Sequence, residues 1–241
     1  MCGRYRLSRA QRGYLWEKYR IDAEYHDEVD LDILVQILSV RPSAHAENVV
    51  VWLTPIDSPS PPPRIPPGHL RLTQHNKSFE PHLLVVPVGT VVEFPNRDPF
   101  FHNVFSLFDG KRFDLGLYEA GSTRNVSFDR PGISYIFCNI HADMSAVVIA
   151  LDTPYFGVSS RKGEVEISEV PAGRYLMRLW HETALPAMLH AMTREISVGP
   201  VAASLGLLEI PATVSVHAHK NKYGMDYEPP APDSPGYEPH R

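Results

Sequence analysis

Apolar residues change their spacing near residue 48. Before it they recur at helical intervals: Leu15 and Tyr19 are four apart, and Val29, Ile33, Ile37 and Val40 follow at four, four and three. Two helices are expected there, over 9–19 and 28–40, and Pro42 closes the second. From Val49-Val50-Val51-Trp52-Leu53 onward the runs are short, β-branched and aromatic. Strands are expected over 49–53, 69–73, 82–86, 90–94, 102–107, 123–128, 132–138 and 145–151. Gly89, Pro95-Asn96, Asp109-Gly110, Gly121 and Pro131-Gly132 mark turns between them. A second group follows over 155–158, 164–168, 173–181 and 192–198, with 205–216 a further candidate and 184–191 a short helix or loop. Many short strands at this spacing imply an all-β sandwich or barrel.

Composition sharpens that picture. The chain has 241 residues and 43% hydrophobic content, enough to bury a core. Of its 23 prolines, many fall in the segment 55–67, at strand borders and in the tail after 229, where they suit extended loops and turns. A net charge of −5 argues against a broad nucleic-acid surface, although Arg4, Arg6, Arg9, Arg12, Lys18 and Arg20 cluster near the start. No apolar run is long enough for a transmembrane helix, so no membrane span is expected. The short run 33–38 follows acids rather than a basic segment, so no signal peptide is visible. Cys2 and Cys138 are the two cysteines, which excludes a disulfide framework.

The chemistry concentrates in Cys138-Asn139-Ile140-His141-Ala142-Asp143-Met144, at the end of the expected strand 132–138. The spacing C-x2-H-x2-M lets one tight loop present a thiolate, an imidazole and a thioether to one ion. His102, on the strand beginning Phe101-His102-Asn103-Val104-Phe105, is the candidate second imidazole. Two imidazoles and a thiolate with a weak axial thioether are the blue-copper donor set, acceptable to both Cu(I) and Cu(II). Structural zinc sites use four Cys/His ligands and rarely Met. No ligand is left over for an open hydrolytic position, so a non-enzymatic role is expected. Asn103 is placed to tie the His102 strand to the Cys138 loop. Phe100, Phe101, Phe105 and Phe137 are candidates for a dry lining. Against this stands the plain alternative that a lone buried Cys is a small hydrophobe.

Residues 74–156 resemble plastocyanin-like cupredoxins, with a ligand loop similar in spacing to that of amicyanin. The likeness lies in Gly89-Thr90, Val92 through Asp98, His102-Asn103-Val104, Cys138-Asn139-Ile140-His141 and Met144. It implies one copper ion per chain held by His102, Cys138, His141 and Met144, with Asn103 bracing the thiolate loop. It implies an electron carrier serving a redox protein partner of unknown identity. Over roughly 48–211 the chain is also similar to bacterial methylamine-utilisation-type proteins, which join a cupredoxin to a carboxypeptidase-regulatory-like β-sandwich. That likeness rests on segments such as Asp152-Thr153-Pro154-Tyr155-Phe156 and Val170-Pro171-Ala172-Gly173-Arg174-Tyr175. It implies a periplasmic location.

The expected organisation is therefore a helical extension over 1–47, then a strand and Pro-rich loop over 48–73 associated with the second sandwich. A Greek-key cupredoxin domain over 74–153, a smaller β-sandwich over 154–216 and a disordered tail over 217–241 complete it. Pairing of strand 49–53 with the second sandwich would make the copper domain an insertion, or interlock the two. The alternatives are a non-redox copper-storage protein and a β-sandwich interaction module.

Other motifs carry less. His181-Glu182 lacks the second histidine of a metalloprotease helix and reads as a strand-end pair. His217 and His219 share a face only if extended, and His75 and His82 read as surface groups. Asn125-Val126-Ser127 matches a glycosylation sequon by chance. Met1-Cys2-Gly3-Arg4-Tyr5-Arg6 resembles the start of SRAP-domain proteins, which crosslink abasic DNA through that cysteine. The rest of that pattern is absent, and a thiol without orienting partners is a poor catalyst, so no nucleic-acid partner is expected.

Overall fold

A computed structural model describes residues 47–107, 110–199, 208–210 and 220–227. The expected helices before residue 47, the strand candidate 205–216, Cys2, His217 and His219 lie outside these residues or largely so. The described chain is almost entirely β-structure, as its patterning implies.

In chain order the strands are β1 (Val50–Pro55), β2 (Leu70–Arg71), β3 (Thr73–His75), β4 (Ser78–Glu80), β5 (Leu83–Pro87), β6 (Thr90–Pro95) and β7 (His102–Ser106). They continue as β8 (Phe113–Tyr118), β9 (Thr123–Phe128), β10 (Gly132–Phe137), β11 (Ser145–Leu151), β12 (Phe156–Val158), β13 (Gly173–Trp180) and β14 (Arg194–Val198). One helix, α1 (Pro186–Ala191), lies between β13 and β14. Three larger sheets result, with orders β5-β11-β10-β7-β8, β2-β6-β9 and β12-β1-β13-β14, beside the hairpin β3-β4.

The five-stranded sheet is the middle layer. Along β11 every second side chain faces the opposite way, as a pleated strand requires. Ala146, Val148 and Ala150 pack on Val92, Phe94, Val126 and Phe128 of the three-stranded sheet. Val147, Ile149 and Leu151 face the other way onto Val51, Leu53, Met177 and Leu179 of the four-stranded sheet. Burial on both faces explains why Ser145–Leu151 reads as a near-continuous apolar run rather than an alternating one.

β1 pairs antiparallel with both β12 and β13, so strand 50–55 is hydrogen-bonded to residues more than a hundred positions away. All strands from β2 to β11 lie between those partners in sequence. The second β unit contributes one sheet, and the rear of the middle sheet closes its core.

Several local expectations change. The expected strand 69–73 breaks at Leu72 into β2 and β3, and Ser78–Glu80 adds β4, where no strand was expected. Residues 164–168 form no strand: Ser160 and Glu164 join in a tight turn, and the following backbone lies against Gly157 without a ladder. A Cβ on Gly157 would sit 2.3 Å from the Glu166 carbonyl oxygen, so only glycine allows that approach. Conversely, Phe113–Tyr118 forms strand β8, which the sequence conceals. It carries Asp114 and a left-handed Gly116 (φ 68°), and its pairing with β7 is broken by an irregularity between Asn103 and Phe105.

Candidate metal centre

The site sits at one end of the sandwich formed by the middle and three-stranded sheets. His102 opens β7 and Cys138 immediately follows β10. Both side chains, with Val104 and Ile136 beside them, belong to the inner face. The 138–144 loop is closed by its own backbone: Cys138 N–H donates to the Met144 carbonyl (3.1 Å), and Met144 N–H to that of His141 (3.2 Å).

Among the described residues, one group of three potential metal ligands converges: His102, Cys138 and His141. The Cys138 Sγ lies 3.7 Å from His102 Nδ1 and 3.5 Å from His141 Nδ1. An ion about 2.0 Å from each nitrogen and 2.3 Å from the sulfur spans donors at these separations. The donor set therefore fits a soft-to-borderline ion shared by all three. The Met144 side chain is fully buried and belongs to the same core cluster as Cys138.

The imidazole of His102 is fixed by a partner that sequence reasoning missed. Its Nε2 lies 2.7 Å from Oδ2 of Asp98, and both side chains are buried. An ionised carboxylate only accepts, so Nε2 carries the proton and the Nδ1 lone pair faces the sulfur. Asp98 is itself held by the backbone amides of Asn76 (2.6 Å) and Lys77 (2.9 Å). Those two residues form the β3–β4 turn with left-handed φ of 53° and 55°, which aims consecutive N–H groups at one carboxylate. Burial works against the Asp98 charge, but these amides and His102 outweigh it and hold the pKa below the usual range. Asn96 stiffens the same loop, donating to the Phe100 carbonyl (2.8 Å) and accepting from Asp98 N–H (3.0 Å).

The ligand protonation states follow from burial. Desolvation pushes His141 down to about 4, reinforced by His102 and Lys77. It also lowers His102, against the pull of Asp98. Both rings are therefore neutral at pH 7, ready to bind a cation without losing a proton. Burial raises the Cys138 thiol, although the backbone amides of Asn103, Ile140 and His141 pull the other way. Metal uptake accordingly releases the thiol proton.

A stability consequence can be measured on metal-free protein. Between about 4 and 6.5 an unfolded His141 binds a proton that the folded one does not. Stability must then fall as pH is lowered through that window. Thermal unfolding at a series of pH values should show the melting temperature dropping from pH 6.5 to 4, with a shallower slope in His141→Gln. Equal slopes would contradict the assignment.

The other residues singled out in the sequence divide. The Asn103 backbone addresses the Cys138 sulfur, while its side chain donates to Asp114 Oδ1 (2.8 Å). Phe100 packs on both imidazoles, with ring centroids 5.1 Å from His102 and 5.8 Å from His141. Phe101 is 57% exposed and lines nothing, while Phe105 and Phe137 stack on each other. His181 is buried between Thr183 and the Glu47 carbonyl, as a strand-end group. His82 bridges Glu182 (2.7 Å) and the Ser145 carbonyl (3.1 Å) at the surface.

No protein-family model matches the chain, and no curated protein matches it. Solved structures do match in part. A copper-containing nitrite reductase from Thermus scotoductus SA-01 aligns at 24% identity and TM-score 0.34, over 41% of this chain and 25% of that one. A purple cupredoxin from Nitrosopumilus maritimus aligns at 23% identity and TM-score 0.31, over 35% of this chain and 99% of that one. An oxidised mutant of amicyanin aligns at 19% identity and TM-score 0.33, over 42% and 98% respectively. The chain spans about a quarter of the length of the nitrite reductase. At such similarity the functional reading has to rest on the side chains themselves.

Proposed function

We propose that this chain is a type-1-like copper protein that carries single electrons between redox partners. The observation that supports it best is the convergence of His102 Nδ1, Cys138 Sγ and His141 Nδ1 at separations one ion can bridge. His102, Cys138 and His141 would hold the ion, with the Met144 thioether as a weak further donor. Copper bound there would supply one-electron exchange between Cu(I) and Cu(II).

The chain's own residues serve that role in three ways. Asp98 and its two amide donors keep His102 from turning, so the site needs little rearrangement between oxidation states. Phe100, Val104, Ile136 and the buried Met144 exclude water from the inner side. His141 is half-buried on a surface loop, which makes its imidazole edge the route by which an electron reaches solvent-side partners.

In the same reading, residues 74–153 form the copper-binding unit, inserted between β1 and β12 of a second β unit. The resemblance to exported proteins suggests a periplasmic location, and no enzymatic step is assigned to the chain. Among the described residues no helix is long and apolar enough to cross a membrane.

The test is direct. Purified protein loaded with one equivalent of Cu(II) should show an intense visible band from sulfur-to-copper charge transfer, which bleaches with reductant and returns with oxidant. A colourless Cu(II) form, or copper held in one oxidation state only, would favour storage instead.

A further inference from the structure

Residues 220–227 were expected to belong to a disordered tail, yet they lie across the metal-site loop. The segment is built as a compact turn. Asn221 Oδ1 accepts the amides of Tyr223 and Met225 (both 3.0 Å), and Asn221 N–H donates to the Met225 carbonyl (2.9 Å). A left-handed Gly224 (φ 77°) permits the reversal. From this turn three bonds reach the site. Lys222 N–H donates to Asn139 Oδ1 (2.9 Å), and Lys222 Nζ to Asp114 Oδ2 (2.8 Å). The Tyr227 hydroxyl donates to the Cys138 carbonyl (2.6 Å).

These contacts fall on the residues that fix the sulfur. The Cys138 peptide is gripped at its N–H by Met144 and at its carbonyl by Tyr227. Asp114 takes Lys222 on one oxygen, and on the other accepts from Asn103 and the Gly116 amide. Asn103 is the residue whose backbone addresses the Cys138 sulfur. The segment thus connects to both strands that carry ligands, β7 through Asp114 and Asn103, and the end of β10 through Tyr227.

We propose that Tyr227 and Lys222 are positioning residues for the metal centre, holding the 138–144 loop closed over Cys138 so that the ligand set is preformed and the ion leaves slowly. The inference deepens the copper reading above, but its deciding test needs no metal. In the full-length, metal-free chain, Cys138 alkylation by iodoacetamide is followed by peptide mass spectrometry, which separates it from Cys2. Tyr227→Phe should raise the Cys138 rate about fivefold, the factor that one net hydrogen bond supplies. Lys222→Ala should act in the same direction and Lys222→Arg should restore the slow rate, all at closely similar melting temperatures. In copper-loaded protein the same variants should release Cu(I) to a chelator faster by a similar factor. Tyr227→Phe and Lys222→Ala rates within twofold of the parent overturn the inference. A parent chain that takes up no copper overturns the proposed function and leaves the alkylation result to stand by itself.

Discussion

Asp98→Ala is expected to lower copper affinity roughly 10–100-fold, the usual effect of removing a partner that orients a ligating histidine. The carboxylate is almost fully buried and binds three donors at once: His102 Nε2, Asn76 N–H and Lys77 N–H. Deleting it frees the His102 ring to turn or to change tautomer, and strands those donors. Each orphaned donor costs about 1 kcal/mol or more, so a loss of about 3 kcal/mol of stability should accompany the lost affinity. Asp98→Asn keeps one acceptor oxygen but cannot serve all three, and should fall between. Chelator competition reads the affinity and thermal or denaturant unfolding the stability. A folded Asp98→Ala chain that binds copper as the parent does would show that the His102 orientation is set elsewhere.

Cys138→Ser should have the larger effect on the site and the smaller one on the fold. The side chain is fully buried, and the amides of Asn103, Ile140 and His141 can serve a hydroxyl as they serve the sulfur. Stability should change by about 1–3 kcal/mol. A serine hydroxyl is a hard donor that keeps its proton, so the soft anionic ligand is gone. The visible band should vanish, and affinity for Cu(I) should fall by more than in Asp98→Ala. Retention of the band in Cys138→Ser, measured at equal copper loading, would mean that another group supplies the absorbing ligand.

The candidate ligand loop was legible because its potential donors are close in sequence. Cys138, His141 and Met144 occupy one turn, and donor chemistry alone singles them out. His102 was reachable as an imidazole opening a strand near an aromatic run. Asp98 was not. Its tie to His102 crosses a loop, and its own support comes from backbone amides of a hairpin whose left-handed pair, Asn76-Lys77, carries only the weak turn signal of its asparagine. Asn103 stood out through its place beside His102, but which of its atoms meets the sulfur did not: the backbone does so, while Asp114 claims the side chain.

The fold divides in a similar way. The strands whose burial alternates or is continuous, such as β6 and β11, stand out in the apolar pattern. β8 does not, because Asp114 and Gly116 interrupt it and Leu117 is 60% exposed. Segment 220–227 reads as part of a proline-rich tail because composition averages over neighbours, while its order comes from eight specific residues and their contacts with the Cys138 loop. That β1 pairs with β12 and β13 followed from its β-branched run only as one option among several.

X-ray absorption at the copper edge, on protein loaded with one equivalent, reads the ligand set itself. The expected first shell holds two nitrogen scatterers near 2.0 Å and one short sulfur near 2.2–2.3 Å, and the sulfur disappears in Cys138→Ser. A parent spectrum fitted by nitrogen and oxygen alone, with no sulfur, would contradict a centre built on Cys138.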